Sequence, residues 1–337
     1  MSPCPAGNRG WGLNFGAFLV LLGFLAAPLA SVAQSAAKVH RIGFLSSLAA
    51  DEGQFQIEAL RQGLRDLGYV DGRNLAIELR WAEGDYQRLP RLAKELVDLH
   101  PDLIVSAGGP PPARALKVAT KTLPVVFISG SVMAAGIVSS LSRPDGNLTG
   151  FEVFAEELDA KRLGLLHEIL PKAVQVAALW NPGNLEGGMQ RKRLQDAARA
   201  RGMQIRFVEA QRPSEIDAAF ASIAREQTDA LVVSADPMLV SERRRIVELA
   251  GRTGIPTIYF DRSFAEAGGL LSYGTDLFAL YRSASTYVDK ILKGAKPADL
   301  PVQQPTQFEL VINLKTAKTL GLTIPPPILL RADMLIK

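Results

Sequence analysis

The chain has 337 residues, 47% hydrophobic and 21% charged, with a formal net charge of +4. That is an ordinary globular composition with length enough for two domains, and its small net charge argues against a nucleic-acid partner. A single cysteine, Cys4, excludes a disulfide framework.

In chain order, the first element is a leader. Residues 1–33 carry one positive charge at Arg9, no acid, an apolar run from Phe15 to Ala30 and then Ser31-Val32-Ala33. This is the pattern of a secretory signal with a small-x-small cleavage site, so the mature protein is expected to be exported; the alternative is an uncleaved membrane anchor, which glycine and Pro28 within the run and the small-residue site disfavour. Cys4 precedes the apolar run, so it is not the lipid-bearing cysteine that would follow one.

Apolar runs then alternate with helical patterns. "RIGFLSS" (41–47) precedes a helix face of Ile57, Leu60, Leu64 and Leu67 closed by Gly68, and "NLAIELRW" precedes Leu89, Leu92, Leu96 and Leu99, stopped by Pro101. "DLIVSAG" and "LPVVFIS" follow. Strand and helix in alternation predict an α/β fold with a mostly parallel sheet covered on both faces.

The second half replays the first. "DLIVSAGGP" (102–110) matches "DALVVSADP" (229–237), which aligns Ser106 with Ser234; "TLPVVFIS" matches "GIPTIYFD", aligning Pro124 with Pro256. "RIGFLSS" matches "VAALWNP", aligning Ile42 with Val176, and Leu75 falls on Ile205. Nearly constant offsets predict two similar doubly wound lobes. "NLTGFEVF" (147–154) and "GGLLSYGTD" (268–276) read as strands crossing between them, and the tail beyond Leu300 supplies a third crossing. The expected division is 1–33 leader, 38–150 with 274–300 as the first lobe, and 151–273 with 301–337 as the second. Several crossings make a hinge, and a hinge makes a closing cleft.

Ligands of open parallel sheets bind beyond the carboxyl ends of the strands. Those ends supply Ser46, Ser47, Ser106, Gly108 and Ser129 from the first lobe, and Trp180, Asn181, Asp236 and Asp261 from the second, with Phe154 and Tyr273 from the two crossing strands. The first set offers hydroxyls and amides suited to a carboxylate, and the second offers acids suited to an ammonium group. Two readings of Trp180 stay open: an aromatic face lining the cleft, or a side chain packed in the lobe core behind the "NPG" turn. Asp residues at these ends are also natural helix caps.

Together "RIGFLSS", "GLRDLGYVDGRNLAIELRWAEGDYQRLPRLAKELV", "ATKTLPVVF", "SRPDGNLTGF", "WNPGN", "ADPM", "GGLLSYG" and "FELVINLKTAKTLGLTIP" resemble the substrate-binding proteins of ABC transporters in the tryptophan-binding-like group. The resemblance implies the type I periplasmic binding protein fold and a monomer. It also implies capture of a small molecule, such as an amino acid or aromatic acid, and its delivery to an inner-membrane ABC permease. The family often carries Thr-Pro-Ala-Ala after the third strand, where this chain has "GGPPPAR" (108–114), whose three prolines remove amide donors.

Other classes find less support in the residues. Neither a G-x-S-x-G elbow nor a phosphate loop is present, and His40, His100 and His167 are scattered, so the expectation is no catalysis, no metal and no cofactor. The alternative within the same fold is a ligand sensor that docks on a membrane receptor. The basic stretch "RKRLQDAARAR" (191–201) has helical spacing and reads as a solvated helix face.

Overall fold

The structure is a computed structural model that describes residues 39–144, 146–153, 158–183 and 187–337. The leader and Phe154, both singled out above, lie outside the described residues. Within them no helix is long and apolar enough to cross a membrane.

The chain opens with β1 (His40–Ser46), α1 (Gln54–Asp66), β2 (Leu75–Trp81), α2 (Leu89–Asp98), β3 (Leu103–Ala107), α3 (Pro110–Ala119), β4 (Val125–Gly130) and β5 (Leu148–Val153). These strands form one parallel sheet in the order β2-β1-β3-β4-β5. Their continuous apolar runs follow from burial on both faces. Ile42, Phe44, Val105, Val126 and Ile128 point one way, toward Leu60 and Leu64 of α1. Leu45, Ile104, Val125 and Phe127 point the other way, toward Leu92 and Leu96 of α2 and Leu116 of α3.

The second set comprises α4 (Asp159–Ile169), β6 (Gln175–Trp180), α5 (Gly187–Arg199), β7 (Gln204–Glu209), α6 (Ile216–Arg225), β8 (Ala230–Val233), α7 (Pro237–Ser241), α8 (Arg243–Thr253), β9 (Thr257–Tyr259), α9 (Arg262–Glu266) and β10 (Leu271–Thr275). Its strands run β7-β6-β8-β9-β10, the same order as in the first sheet. Val176, Ala178 and Val232 face α4 and α5, while Ala177, Leu179 and Leu231 face α6 and α8.

The chain then returns. The helix α10 (Leu277–Leu292) packs Leu280, Tyr281, Ala284 and Val288 into the first core. A last passage reaches β11 (Phe308–Asn313), antiparallel to β10, and continues through α11 (Leu314–Thr319) and α12 (Pro326–Arg331) to β12 (Met334–Ile336) at the sheet edge. The two lobes inferred from the repeat are therefore present, joined by three passages of chain.

The register corrects three readings. Ile42 faces Ile77 and Val176 faces Ile205, so the counterpart of Ile205 is Ile77, two residues beyond Leu75. Leu45 pairs with Ser106 while Leu179 pairs with Val233, so Ser106 is level with Val233 and not with Ser234. A one-residue slip turns a strand side chain to the opposite face, and matching letters does not detect it. Nor do 147–154 and 268–276 cross between lobes as strands. β5 pairs with β4 from Leu148 to Val153, and β10 stays with β11 from Leu271 to Thr275, so the crossings begin after Val153 and after Thr275.

Candidate functional site

Where the carboxyl ends of the two sheets face each other, a cavity of about 100 Å³ is lined by both lobes. The first sheet contributes Gly108 and Gly109 after β3 and Ser129 and Gly130 at the end of β4; α1 and α10 contribute Phe55, Gln56, Leu277 and Tyr281. The second lobe contributes Ala235 and Asp236 after β8 and Phe260 and Asp261 after β9. Most of the wall is apolar, with a few polar groups at defined points, which is the usual make-up of a small-molecule site.

The floor on the first-lobe side is a hydrogen-bonded chain. Ser46 Oγ donates to Gln56 Oε1 (2.9 Å), Gln56 Nε2 donates to Tyr281 Oη (2.9 Å), and the Gly108 amide also donates to Tyr281 Oη (3.2 Å). Ser47 Oγ donates to the Gly108 carbonyl. Gly108 takes φ +79, and a Cβ there would meet Ser47 Oγ at 2.4 Å, so only glycine lets the chain pass so close to the end of β1. Burial pushes the Tyr281 hydroxyl above its ordinary pKa and keeps it protonated. Next to this floor, α3 begins Pro110-Pro111-Pro112; its N-terminal dipole is intact, but those residues have no N–H to donate.

The two carboxylates of the second lobe play different roles. Asp236 caps α7: Oδ1 accepts from the amides of Met238 (2.9 Å) and Leu239 (3.2 Å) and from Asn181 Nδ2 (3.2 Å), and Oδ2 accepts from Tyr86 Oη (3.1 Å). Both of its oxygens are engaged. Asp261 caps α9 through Oδ1 alone, which accepts from the amide and hydroxyl of Ser263. Burial pushes both carboxyls upward; Asp236 is drawn back by these donors, and Asp261 by Ser263 and the Arg243 guanidinium. An ammonium group beside Asp261 Oδ2 would favour its ionised form further.

Of the residues named from the sequence, Gly108, Ser129, Asp236 and Asp261 line this cavity, and Ser46 and Ser47 hold its floor. Ser106 is fully buried in the sheet behind Gly108, with an unpaired hydroxyl among the described residues, and Asn181 acts through Asp236. Trp180 is not part of the lining. It stands edge-on to Phe207 with the Arg191 guanidinium over its ring, because residues 176, 178 and 180 of β6 share the α5 face. Tyr273 is also elsewhere. Strand alternation turns it to the α4 side with Phe308, in an outer pocket of the second lobe, and only its carbonyl is engaged inward, by Arg162 Nε at 2.8 Å.

The sequence reading missed Phe55, Gln56, Phe260 and Tyr281. Tyr281 carried a signal, but a different one: its helical spacing marks the core face of α10, and its hydroxyl reaches from there to Gly108. Gln56 sits in the first turn of α1, which has no side-chain cap to announce it.

A family model described as ABC transporter substrate binding protein matches residues 42–336. The chain belongs to that family. A tyrosine-binding protein of Clostridioides difficile (strain R20291) is 28% identical to this substrate-binding protein over 262 residues, which cover 77% of this chain and 75% of the relative. Two solved structures share the fold. A conserved domain protein from Vibrio cholerae superposes with a TM-score of 0.83 at 28% identity, covering 88% of this chain and all of the other. A Streptococcus pneumoniae domain in complex with L-Trp superposes at 0.80 with 27% identity and the same coverage. The type I periplasmic binding protein architecture and a small-molecule-binding role in ABC transport are thus the family's and this chain's alike.

Proposed function

We propose that the cleft captures an amino acid with an aromatic or other large apolar side chain and presents it to an inner-membrane permease. The observation that carries this reading is one cavity built by both lobes in which the Asp261 carboxylate, with one oxygen not hydrogen-bonded among the described residues, lines the wall together with Phe55, Phe260 and Tyr281. Asp261 takes the α-ammonium group. The α-carboxylate lies toward the strand ends of the first lobe at Gly108–Gly109 and Ser129–Gly130, within the field of the α3 N-terminus. The apolar walls take the side chain. The relatives that bind L-Trp and tyrosine support the same class of ligand.

The rest of the reading follows from the family and the leader. The protein is exported with cleavage near Ala33 and works as a periplasmic monomer without catalysis of its own. Its lobes close about the passages of chain that join them. Thermal unfolding against L-tyrosine, L-tryptophan, L-phenylalanine, L-leucine and a set of sugars tests the ligand class. A ligand at one hundred times its dissociation constant adds roughly 2.7 kcal/mol to stability, a readily resolved shift. Stabilisation by an aromatic amino acid is expected; stabilisation by sugars alone overturns the proposal.

A further inference from the structure

Two side-chain contacts span the lobes, and of their four residues only Asp236 lines the cavity. Tyr86 follows β2, where the chain folds back over the end of β1: the Ala82 amide donates to the Ser46 carbonyl (2.9 Å) and the Gly84 amide to the Ser47 carbonyl (2.8 Å). Glu83 and Gly84 both take left-handed φ, +57 and +75, to make this tight turn. Asp85 then caps a short 3-10 turn, Tyr86–Arg88, which aims the Tyr86 hydroxyl across the cleft at Asp236 Oδ2. Asp236 is a stationary target, because its other oxygen is held by three donors of its own lobe. The second contact is the ion pair between Glu52, in the β1–α1 loop, and Arg243, at the start of α8; both side chains are largely buried. Between them the backbones come close, and a Cβ on Gly109 would stand 3.3 Å from the Pro237 ring.

Tyr86 lines a separate groove of about 670 Å³ between α2 and α3, bordered by Gly183 of the second lobe, and not the cavity between the strand ends. A solute in the cavity therefore gains nothing directly from its hydroxyl. We propose that Tyr86 is a closure residue that sets affinity for the captured solute by holding the lobes together without touching the solute, with the Glu52–Arg243 pair as a second contact across the lobes. The inference rests on the cleft being the capture site, as argued above. Contacts that need no ligand stabilise the closed form of the free protein, and apparent affinity scales with the fraction of molecules already in the binding-competent form.

The two aspartates then divide the work. Asp236 serves closure, and Asp261 serves the ligand. Losing the hydroxyl leaves Asp236 Oδ2 without its cross-cleft donor in the closed form only, since in the open form water reaches it. A hydrogen bond to a charged group of this kind shifts the closing equilibrium roughly ten-fold.

The test measures lobe separation directly. Nitroxides on Val118→Cys of α3 and Lys192→Cys of α5, both exposed positions on opposite lobes, with Cys4→Ser to leave only these two thiols, report the distance by pulsed electron resonance. The ligand-free protein is expected to show a short-distance population that falls roughly ten-fold relative to the long one in Tyr86→Phe, and falls likewise in Arg243→Met. Saturating L-tyrosine should restore the short distance in Tyr86→Phe, at a higher concentration than the parent needs. Asp261→Asn should lose L-tyrosine binding with the ligand-free distribution unchanged. An identical ligand-free distribution in Tyr86→Phe and parent overturns the inference, as does a parent with no short-distance population. Failure of L-tyrosine to bind the parent counts against the proposed ligand alone, because the ligand-free distances still decide the closure question.

Discussion

Replacing Tyr281 by Phe removes one oxygen from the cavity floor, and the structure sets the cost. That oxygen accepts from Gln56 Nε2, which is buried, and from the Gly108 amide, which is part-buried at the cleft. Phenylalanine keeps the ring packing with Phe55 and the first core, so almost the whole effect is two donors left without an acceptor. Each such loss costs about 1–3 kcal/mol, and the expected total is about 2–4 kcal/mol because Gly108 can shift toward solvent in the cleft. Urea unfolding at 25 °C and neutral pH measures it, with the midpoint moving at constant slope. The double variant Gln56→Leu/Tyr281→Phe should lose less than the sum of the two single losses, since both remove the same bond. A loss below about 0.5 kcal/mol in Tyr281→Phe, the range of inert surface changes, would refute the claim that this hydroxyl holds the floor together.

Three further outcomes follow from the same geometry. Asp261→Asn keeps the α9 cap acceptor but removes the charge, so calorimetric titration should show affinity for an amino acid falling by at least about ten-fold with the melting temperature of the free protein nearly unchanged. Gly150→Ala places a Cβ 2.0 Å from the Phe127 carbonyl oxygen on the neighbouring strand, and the loss of at least about 3 kcal/mol should appear as a collapse of soluble yield or of the unfolding midpoint. Burial, opposed by the Arg262 guanidinium and assisted by Asp276, Asp261 and Glu266, pushes Glu309 up to about 7. Its stabilising contribution is therefore complete below its unfolded value near 4.5 and is lost as pH rises through 7. The parent should lose stability relative to Glu309→Gln between pH 5 and 8 in parallel thermal melts, although the broken Arg262 contact lowers the variant at every pH.

The lobes could be read from the sequence because strands buried on both faces are continuous apolar runs, and nothing else in this chain produces them at a repeated spacing. The positions of strand ends followed, so Gly108, Ser129, Asp236 and Asp261 were found together. Side-chain direction was a different matter. Trp180 and Tyr273 stand at the right ends of the right strands, yet a period of two turns both to the α4 and α5 face. Asp236 and Asp261 look alike in sequence, each opening a short helix. Only the arrival of Tyr86 from a distant loop separates the carboxylate used for closure from the one left for the ligand. Phe55 and Gln56 reach the cavity because α1 and α10 pack side by side, a contact between segments more than 200 residues apart that no local pattern encodes.

The central claim is that an amino acid is held between the lobes with its ammonium group on Asp261, and a crystal structure of the protein grown with L-tyrosine tests it most directly. The account predicts the ligand nitrogen within hydrogen-bond distance of Asp261 Oδ2, its ring among Phe55, Phe260 and Tyr281, and contacts from both sheets. A ligand seated in the outer groove between α2 and α3, or bound to one lobe with Asp261 untouched, would contradict it.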